Sequence, residues 1–279
     1  MNRNRSVLRC CWLLLWLLAA CSSNQQLQQE AAENTAMPTT LDAVHQPEIT
    51  ATPLYTTPEY GTAEPGFGQR QSPLNLLTQT DHSQPHDIYI ESSDEHVINR
   101  INDTGHSIQI SFSEPEHIHF DGSEYVLQQC HFHTPSEHQI DGMTYPMEMH
   151  CVSVASDSPQ NSIPNYLVVA YLFRMGASNA GMAAISKQAN AMRAQGERQT
   201  DVSKQTLTLE QIIGSADAFT HYFSYAGSLT TAPFSETVRW LVLTRVLTAS
   251  PEETQVMNLL DGNNARHIQA ANKRLIELD

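Results

Sequence analysis

The segments His131-Phe132-His133 and Glu148-Met149-His150 constrain this chain more than any other feature of its sequence. Successive side chains of a β-strand point to opposite faces, so His131 and His133 share one face and Phe132 takes the other. Tyr125–His133 and Met147–Val154 both read as extended, and Asp141-Gly142 between them is a turn signal. Antiparallel pairing of the two runs brings His150 level with His131. Three imidazoles on one face of a sheet make the pattern of an open zinc site. Catalytic zinc typically takes three protein ligands and keeps a fourth position for water, whereas structural zinc closes its tetrahedron, usually with cysteines. No second pair of cysteines lies near these histidines to do so.

The same parity reaches beyond the ligands. Gln129 falls on the face of His131 and Glu148 on the face of His150, each two residues before its histidine. Each can accept the remaining ring N–H, fix the tautomer and raise ligand basicity. Val152 shares that face and offers an apolar wall. His-x-His alone is weak evidence in a chain with 13 histidines. His117-Ile118-His119 has the same spacing but no matching third histidine preceded by an acceptor, and it abuts Asp121-Gly122. It reads as an exposed strand end.

Short β-like runs punctuated by turn signals organise the rest: Ile88–Glu91, Val97–Ile101, Ser107–Phe112, Val126–His133, Met147–Val154 and Tyr166–Phe173. Helical pattern is scarce, with Asn179–Ala194, Thr208–Ile213 and Pro251–Leu260 as candidates. These elements predict a mainly β fold with peripheral helices, built on a large, twisted, mostly antiparallel central sheet. With 40% hydrophobic residues in 279, one sizeable core is available.

Several blocks resemble the α-class carbonic anhydrases, in particular their bacterial members. Gln71-Ser72-Pro73-Leu74-Asn75-Leu76 is similar to the family's QSPIN(I/L), Asn102-Asp103-Thr104-Gly105-His106 to its NNGH segment, and Gln129-Cys130-His131-Phe132-His133-Thr134-Pro135-Ser136-Glu137-His138 to QFHFHTPSEH. Tyr145-Pro146-Met147-Glu148-Met149-His150 resembles YPMEAH. Tyr225-Ala226-Gly227-Ser228-Leu229-Thr230-Thr231-Ala232-Pro233 with Val238-Arg239-Trp240 resembles YxGSLTTPP…VxW, and Asn264-x-Arg266-x-x-Gln269 echoes NxRxxQ. The blocks keep the family's order across roughly residues 60 to 275.

The resemblance implies an enzyme that reversibly hydrates carbon dioxide to bicarbonate and a proton. It implies Zn2+ on His131, His133 and His150, with Gln129, Glu148 and Asn264 supporting the ligands and hydroxide on zinc as the nucleophile. Thr230 would accept the hydroxide's hydrogen and donate its own to Glu137. Val152, Val168, Leu229 and Trp240 would form the apolar pocket for carbon dioxide, Thr231 would line its polar side, and sulfonamides and anions would inhibit. His106 would shuttle the proton to buffer, a task suited to an imidazole at neutral pH. Asp103 and Thr104 stand where the family usually has asparagines, and its N-terminal tryptophans and tyrosine are not recognisable.

Exported bacterial members often carry a disulfide from just before QSP to just after TTPP. Here Gln69-Arg70 and Phe234 occupy those neighbourhoods, so that bridge is missing. Cys130 and Cys151 face each other on the side of the sheet away from the histidines. Two buried thiols are expected there, because cross-strand disulfides make exacting geometric demands.

The N-terminus reads as a processing segment over residues 1–20. Arg3, Arg5 and Arg9 precede an apolar core, Cys11–Ala20, shorter than the ~20 residues that span a bilayer. Leu18-Ala19-Ala20-Cys21 resembles the bacterial lipobox, with Cys21 lipidated, and Ser22 rather than Asp after it favours the outer membrane. An enzyme anchored on the periplasmic face of that membrane is the expectation, a soluble periplasmic protein the alternative. Residues 21–58, rich in Gln, Ala, Thr, Glu and Pro, read as a tether, with the catalytic domain over 59–279. Loss of residues 1–20 moves the net charge from −15 to −18. That surface repels nucleic acid and offers no polybasic handle for anionic lipid. Two other functional classes compete: a catalytically silent cell-surface binding module of the same fold, and a periplasmic zinc buffer. The first typically loses a zinc histidine and the second needs several exposed sites.

Overall fold

The structure is a computed structural model that describes residues 68–80, 86–91, 95–158, 162–214 and 219–279. The leader, Cys21, the tether and the start of the domain near Tyr60 lie outside the described residues. In chain order the strands are β1 (Asn75–Leu76), β2 (Ile88–Ile90), β3 (Ile98–Asp103), β4 (Ile108–Phe112), β5 (His117–Phe120), β6 (Ser123–His133), β7 (Gln139–Ile140) and β8 (Met143–Thr144). They continue with β9 (Met147–Ala155), β10 (Tyr166–Met175), β11 (Gln199–Asp201), β12 (Tyr222–Gly227), β13 (Val238–Leu243), β14 (Leu247–Ala249) and β15 (Ile276–Leu278). Three helices are described: α1 (Ala180–Ala194), α2 (Glu210–Ile213) and α3 (Pro251–Asp261).

One large mixed sheet organises the molecule, in the order β11-β3-β4-β6-β9-β10-β13-β12-β15, with β14 beside β10 and β2-β5 beside β6. Its pairings are antiparallel except β10 with β13 and β10 with β14. The expected sheet-dominated architecture with peripheral helices is what forms. The sequence-predicted strands and helices reappear with ends that coincide or shift by at most three residues.

Alternation splits the central strands between two hydrophobic clusters, one on each face. Cys130, Phe132, Met149, Cys151, Val169, Tyr171 and Leu241 enter the larger cluster. Val168, Ala170, Trp240 and Val242 enter the smaller, with Val152 and Leu229 packed against it. Helix α1 buries Met182, Ile185, Ala189 and Met192, one helical stripe, against the larger cluster. Its N-cap Asn179 accepts from the Met182 N–H at 3.1 Å. Ser250 and Glu253 form a capping box that starts α3, with Pro251 in the first turn.

The register sets the site. His131 pairs with His150 across β6 and β9, and His150 with Ala170 across β9 and β10. The neighbouring level reads Gln129, Val152, Val168, Trp240 from β6 to β13. A register shift between Leu127 and Gln129 adds one residue to β6, so that Leu127 and Cys130 both face the larger cluster. Asp141 and Gly142, both at positive φ (49° and 79°), close the short β7–β8 hairpin that lies between β6 and β9.

Two expectations need correction. Cys130 and Cys151 are joined in a disulfide rather than left as thiols. They sit directly opposite each other with Cα atoms 4.1 Å apart, the close spacing of a non-hydrogen-bonded antiparallel pair. Closing a loop of 21 residues in sequence restricts the unfolded chain by ~3 kcal/mol in the chain-entropy account. The second concerns His117-Ile118-His119, which is not an exposed strand end. It is most of β5, hydrogen-bonded between β2 and β6 with both histidines half-buried.

Polar contacts join the two segments that lack the family's disulfide. The Arg70 N–H donates to Glu236 Oε1 at 2.5 Å, and Gln71 Nε2 donates to the same oxygen at 3.0 Å and to the Phe234 carbonyl at 3.2 Å. The Arg266 guanidinium lies 3.9 Å over the Phe234 ring.

Candidate metal centre

His131, His133 and His150 converge, with one ligand atom from each within 4.8 Å of the others. Their ring centroids lie 4.6–5.4 Å apart. His131 Nδ1 is 3.0 Å from Gln129 Oε1, and His150 Nε2 is 2.7 Å from Glu148 Oε1. A carbonyl or carboxylate oxygen only accepts, so each contact puts the proton on the bonded nitrogen. The lone pairs of His131 Nε2 and His150 Nδ1 are thereby left free. Neither buried nitrogen of His133 meets a partner in full hydrogen-bond geometry, although the Asn264 backbone is near enough to lift the ring. Buried polar atoms are rarely left so, and these belong to a ring facing two others. The donor set fits a tetrahedral transition ion with one open position.

The electrostatics favour neutral rings at two of the three positions. Burial, with the neighbouring imidazoles, holds His131 well below 6.5 and His133 down at about 3. Burial also pushes His150 down, but Glu148 lifts it to a net rise. Glu148 itself is fully buried. Burial pushes its carboxyl up, yet His138 and His150 prevail and hold it well below the ordinary carboxylate value.

Glu148 is the hub of this arrangement. Oε2 accepts from the Glu137 and His138 N–H groups, each at 2.8 Å, and Oε1 lies 2.6 Å from His138 Nδ1 as well as facing His150. His138 Nε2 continues to the Tyr225 hydroxyl at 2.7 Å, which donates to Ser72 Oγ at 3.0 Å. Ser72 Oγ also accepts from the Ser228 N–H at 3.1 Å. This line crosses the smaller core cluster to the Ser72-Pro73 loop. Gly227 lets it pass, since a Cβ there would lie 2.2 Å from Ser72 Oγ and 2.7 Å from Trp240 Cδ1. Sequence reasoning gave His138 no role, because its partners are 10 and 87 residues away.

Glu137 is also buried. Its Oε1 accepts from the Arg266 N–H at 2.8 Å and lies 3.6 Å from His133 Nδ1. Burial raises its carboxyl to about 7, while His150, the Arg266 N–H and the Thr230 hydroxyl pull the other way. Thr230 is buried beside it and Thr231 exposed. Trp240 packs edge-on against His150, centroids 4.8 Å apart, and its Nε1–H donates to the Ser228 carbonyl at 3.0 Å. Val168 and Trp240 are buried, Val152 and Leu229 half-buried, in the cluster on the histidine face.

Asn264 acts on the His133 ring through its backbone, which lifts that imidazole against burial, and on neighbouring backbone through its side chain. Its Nδ2 donates to the Phe132 and His106 carbonyls, at 3.0 and 2.8 Å, and its Oδ1 accepts from the Thr134 N–H at 3.0 Å. It clamps the chain on both sides of His133 and ties it to the β3–β4 turn. His106 is exposed on that turn, with its N–H donating to Thr104 Oγ1 at 3.3 Å.

A three-histidine centre on a large mixed sheet, with His133 and His150 buried and His131 half-buried, flanked by a carboxylate and an apolar wall, is the arrangement of a metal-dependent enzyme class. The family model described as eukaryotic-type carbonic anhydrase matches residues 58–278, and the chain belongs to that α-type carbonic anhydrase family. Its relatives include a carbonic anhydrase of Pectobacterium carotovorum, 34% identical over 225 residues, which spans 78% of this chain and 85% of the relative. The Photobacterium profundum α-carbonic anhydrase superposes with a TM-score of 0.62 at 28% identity, covering 76% of this chain and 90% of that one. The α-carbonic anhydrase of Thermovibrio ammonificans, solved with the inhibitor sulfanilamide, gives 0.62 at 26% identity, covering 75% and 87%.

Proposed function

We propose that the chain catalyses the reversible hydration of carbon dioxide to bicarbonate and a proton, with Zn2+ held by His131, His133 and His150. The convergence of three imidazoles whose free nitrogens face one point carries this reading, beside Glu137 and Thr230. In carbonic anhydrases, the type case of this chemistry, the ion acidifies a bound water to give the nucleophile. Gln129 and Glu148 fix the tautomers that keep His131 Nε2 and His150 Nδ1 available. Glu137, gripped by the Arg266 N–H, accepts the Thr230 hydroxyl proton, which turns a Thr230 lone pair toward the reacting centre. Val152, Val168, Leu229 and Trp240 offer the apolar side on which carbon dioxide waits, and Thr231 the polar side facing water. His106, exposed on its turn, exchanges the released proton with buffer. A sulfonamide nitrogen able to donate to Thr230 inhibits by the same geometry. The enzyme is lipid-anchored through Cys21, facing the periplasm from the outer membrane.

Elemental analysis and carbon dioxide hydration by the unit Tyr55–Asp279 test this reading. Wild type should carry zinc in this centre and turn over, whereas His133→Ala should lose both the ion and activity. Full zinc and activity in His133→Ala would refute it. The intact histidine set beside Glu137 and Thr230 favours an enzyme over a silent binding module.

A further inference from the structure

We propose that the outer face of β2, β5 and β6 carries a second, exchangeable transition-metal site, with His119, Glu124 and Glu91 as its ligands. Ile118 and Phe120 of β5 are buried in the larger core cluster, with Ile88 and Ile90 of β2 packed against it. Alternation therefore turns His117, His119, Tyr89 and Glu91 outward together. The register aligns them, with Tyr89 opposite His119 across β2–β5 and His119 opposite Glu124 across β5–β6. One ligand atom each of Glu91, His119 and Glu124 lies within 4.8 Å of the other two.

The surroundings of the His119 Nε2 atom suit a cation. His119 Nε2 is shielded from solvent yet has no hydrogen-bond partner. The nearest acidic oxygen, Glu91 Oε2, is 3.7 Å away, too far for a hydrogen bond but suited to sharing an ion. The ligands are also held in place. Tyr89 stacks on the His119 ring at 4.5 Å and 12°, and His117 Nδ1 hydrogen-bonds Glu124 Oε1. A buttressed imidazole and an oriented carboxylate are what metal centres recruit in their surroundings.

One imidazole and two carboxylates suit Zn2+, Cu2+ or Ni2+ better than Ca2+ or Mg2+, with water filling the remaining positions. Glu91 is exposed, so the ion reaches the site from bulk solvent and leaves again. Glu124 precedes His131 by seven residues on β6, ~20 Å of strand, so this site shares no ligand with the three-histidine centre.

The test is a titration of the full chain, its first site already filled, with Zn2+ followed by calorimetry. Wild type should bind one further equivalent, and His119→Ala and Glu124→Gln should each weaken it about tenfold or more. Both variants should keep the first equivalent and an unchanged carbon dioxide hydration rate. Absence of a further equivalent in wild type, its persistence in both variants, or a fall in hydration alongside its loss would overturn the proposal. Glu91→Gln, at an exposed position, should weaken the same step and gives the answer if His119→Ala fails to fold.

Discussion

Replacing Glu148 with Gln changes a single atom and should still cost the enzyme most of its metal affinity. Both carboxylate oxygens accept two hydrogen bonds each: Oε2 from two backbone N–H groups, Oε1 from His138 and His150. An amide has one accepting oxygen and one donating nitrogen, so it serves only one of these pairs. If the oxygen keeps the backbone groups, its NH2 faces His138 Nδ1 and His150 Nε2, and His150 must shift its proton to Nδ1. The nitrogen meant for the metal then carries the proton. If the oxygen keeps the imidazoles, two buried backbone donors meet an NH2 group, at ~1–3 kcal/mol each. Either outcome loses the charge that lifts His150. Changes to such supporting partners typically weaken metal affinity ~10–100-fold, or ~1.4–2.8 kcal/mol. Competition with a chromophoric chelator measures the zinc affinity, and urea unfolding of zinc-free protein measures the stability loss. A Glu148→Gln protein with wild-type zinc affinity and an unchanged unfolding midpoint would refute the tautomer argument.

Three further outcomes are expected. His106→Ala should slow steady-state hydration about tenfold or more while sparing carbon dioxide/bicarbonate exchange measured at chemical equilibrium, and imidazole buffers should restore turnover; a parallel drop in both rates would make His106 structural. Asp261, whose Oδ1 accepts the Ile108 N–H at 2.7 Å, is raised by burial from 3.8 to about 7, so its protonated form contributes stability that is full below pH ~4 and lost as pH rises through ~7. Asp261→Asn, neutral throughout, should exceed wild type in the unfolding free energy obtained from urea titration at pH 8, by at most ~4 kcal/mol at ~1.4 per unit, and match it at pH 4; a pH-independent difference would contradict this. Cys21→Ser should release the protein from detergent-extractable membranes without altering intrinsic hydration, and mass spectrometry finding an unacylated N-terminus downstream of Cys21 would make it a soluble periplasmic enzyme instead.

The three histidines were legible because a strand's period of two is a rigid rule. Once His131 and His133 fall on one face, the facing strand needs only the right register, and Gln129 and Glu148 follow by parity. Motif similarity located Glu137 and Thr230 without saying how they are held. Arg266 grips Glu137 through its backbone N–H, a group no side-chain pattern reveals. His138 stayed silent for a related reason: its partners, Glu148 and Tyr225, come from distant strands. The strands β1, β7 and β8 have two residues each, too short for alternation to register. For Cys130 and Cys151 the facing arrangement was readable, but the bond was not, since it depends on sub-ångström approach between Cβ atoms.

The two histidine pairs show why spacing alone does not decide chemistry. His131-x-His133 and His117-x-His119 obey the same alternation, and each projects two rings from one face of a strand. The first pair meets a third imidazole in a site closed by Trp240, Val168 and the Glu148 hub, where unpaired ring nitrogens are costly without a cation. The second pair meets carboxylates at a half-open surface, and one of its rings is already engaged by Glu124. Water competes for ligands there, and salt screens their charge. Burial and the identity of the third ligand therefore separate the two pairs, and under our proposals the first would hold a resident ion and the second an exchangeable one. The neighbours supplied by β9 for one pair, and by β2 and the start of β6 for the other, make that difference.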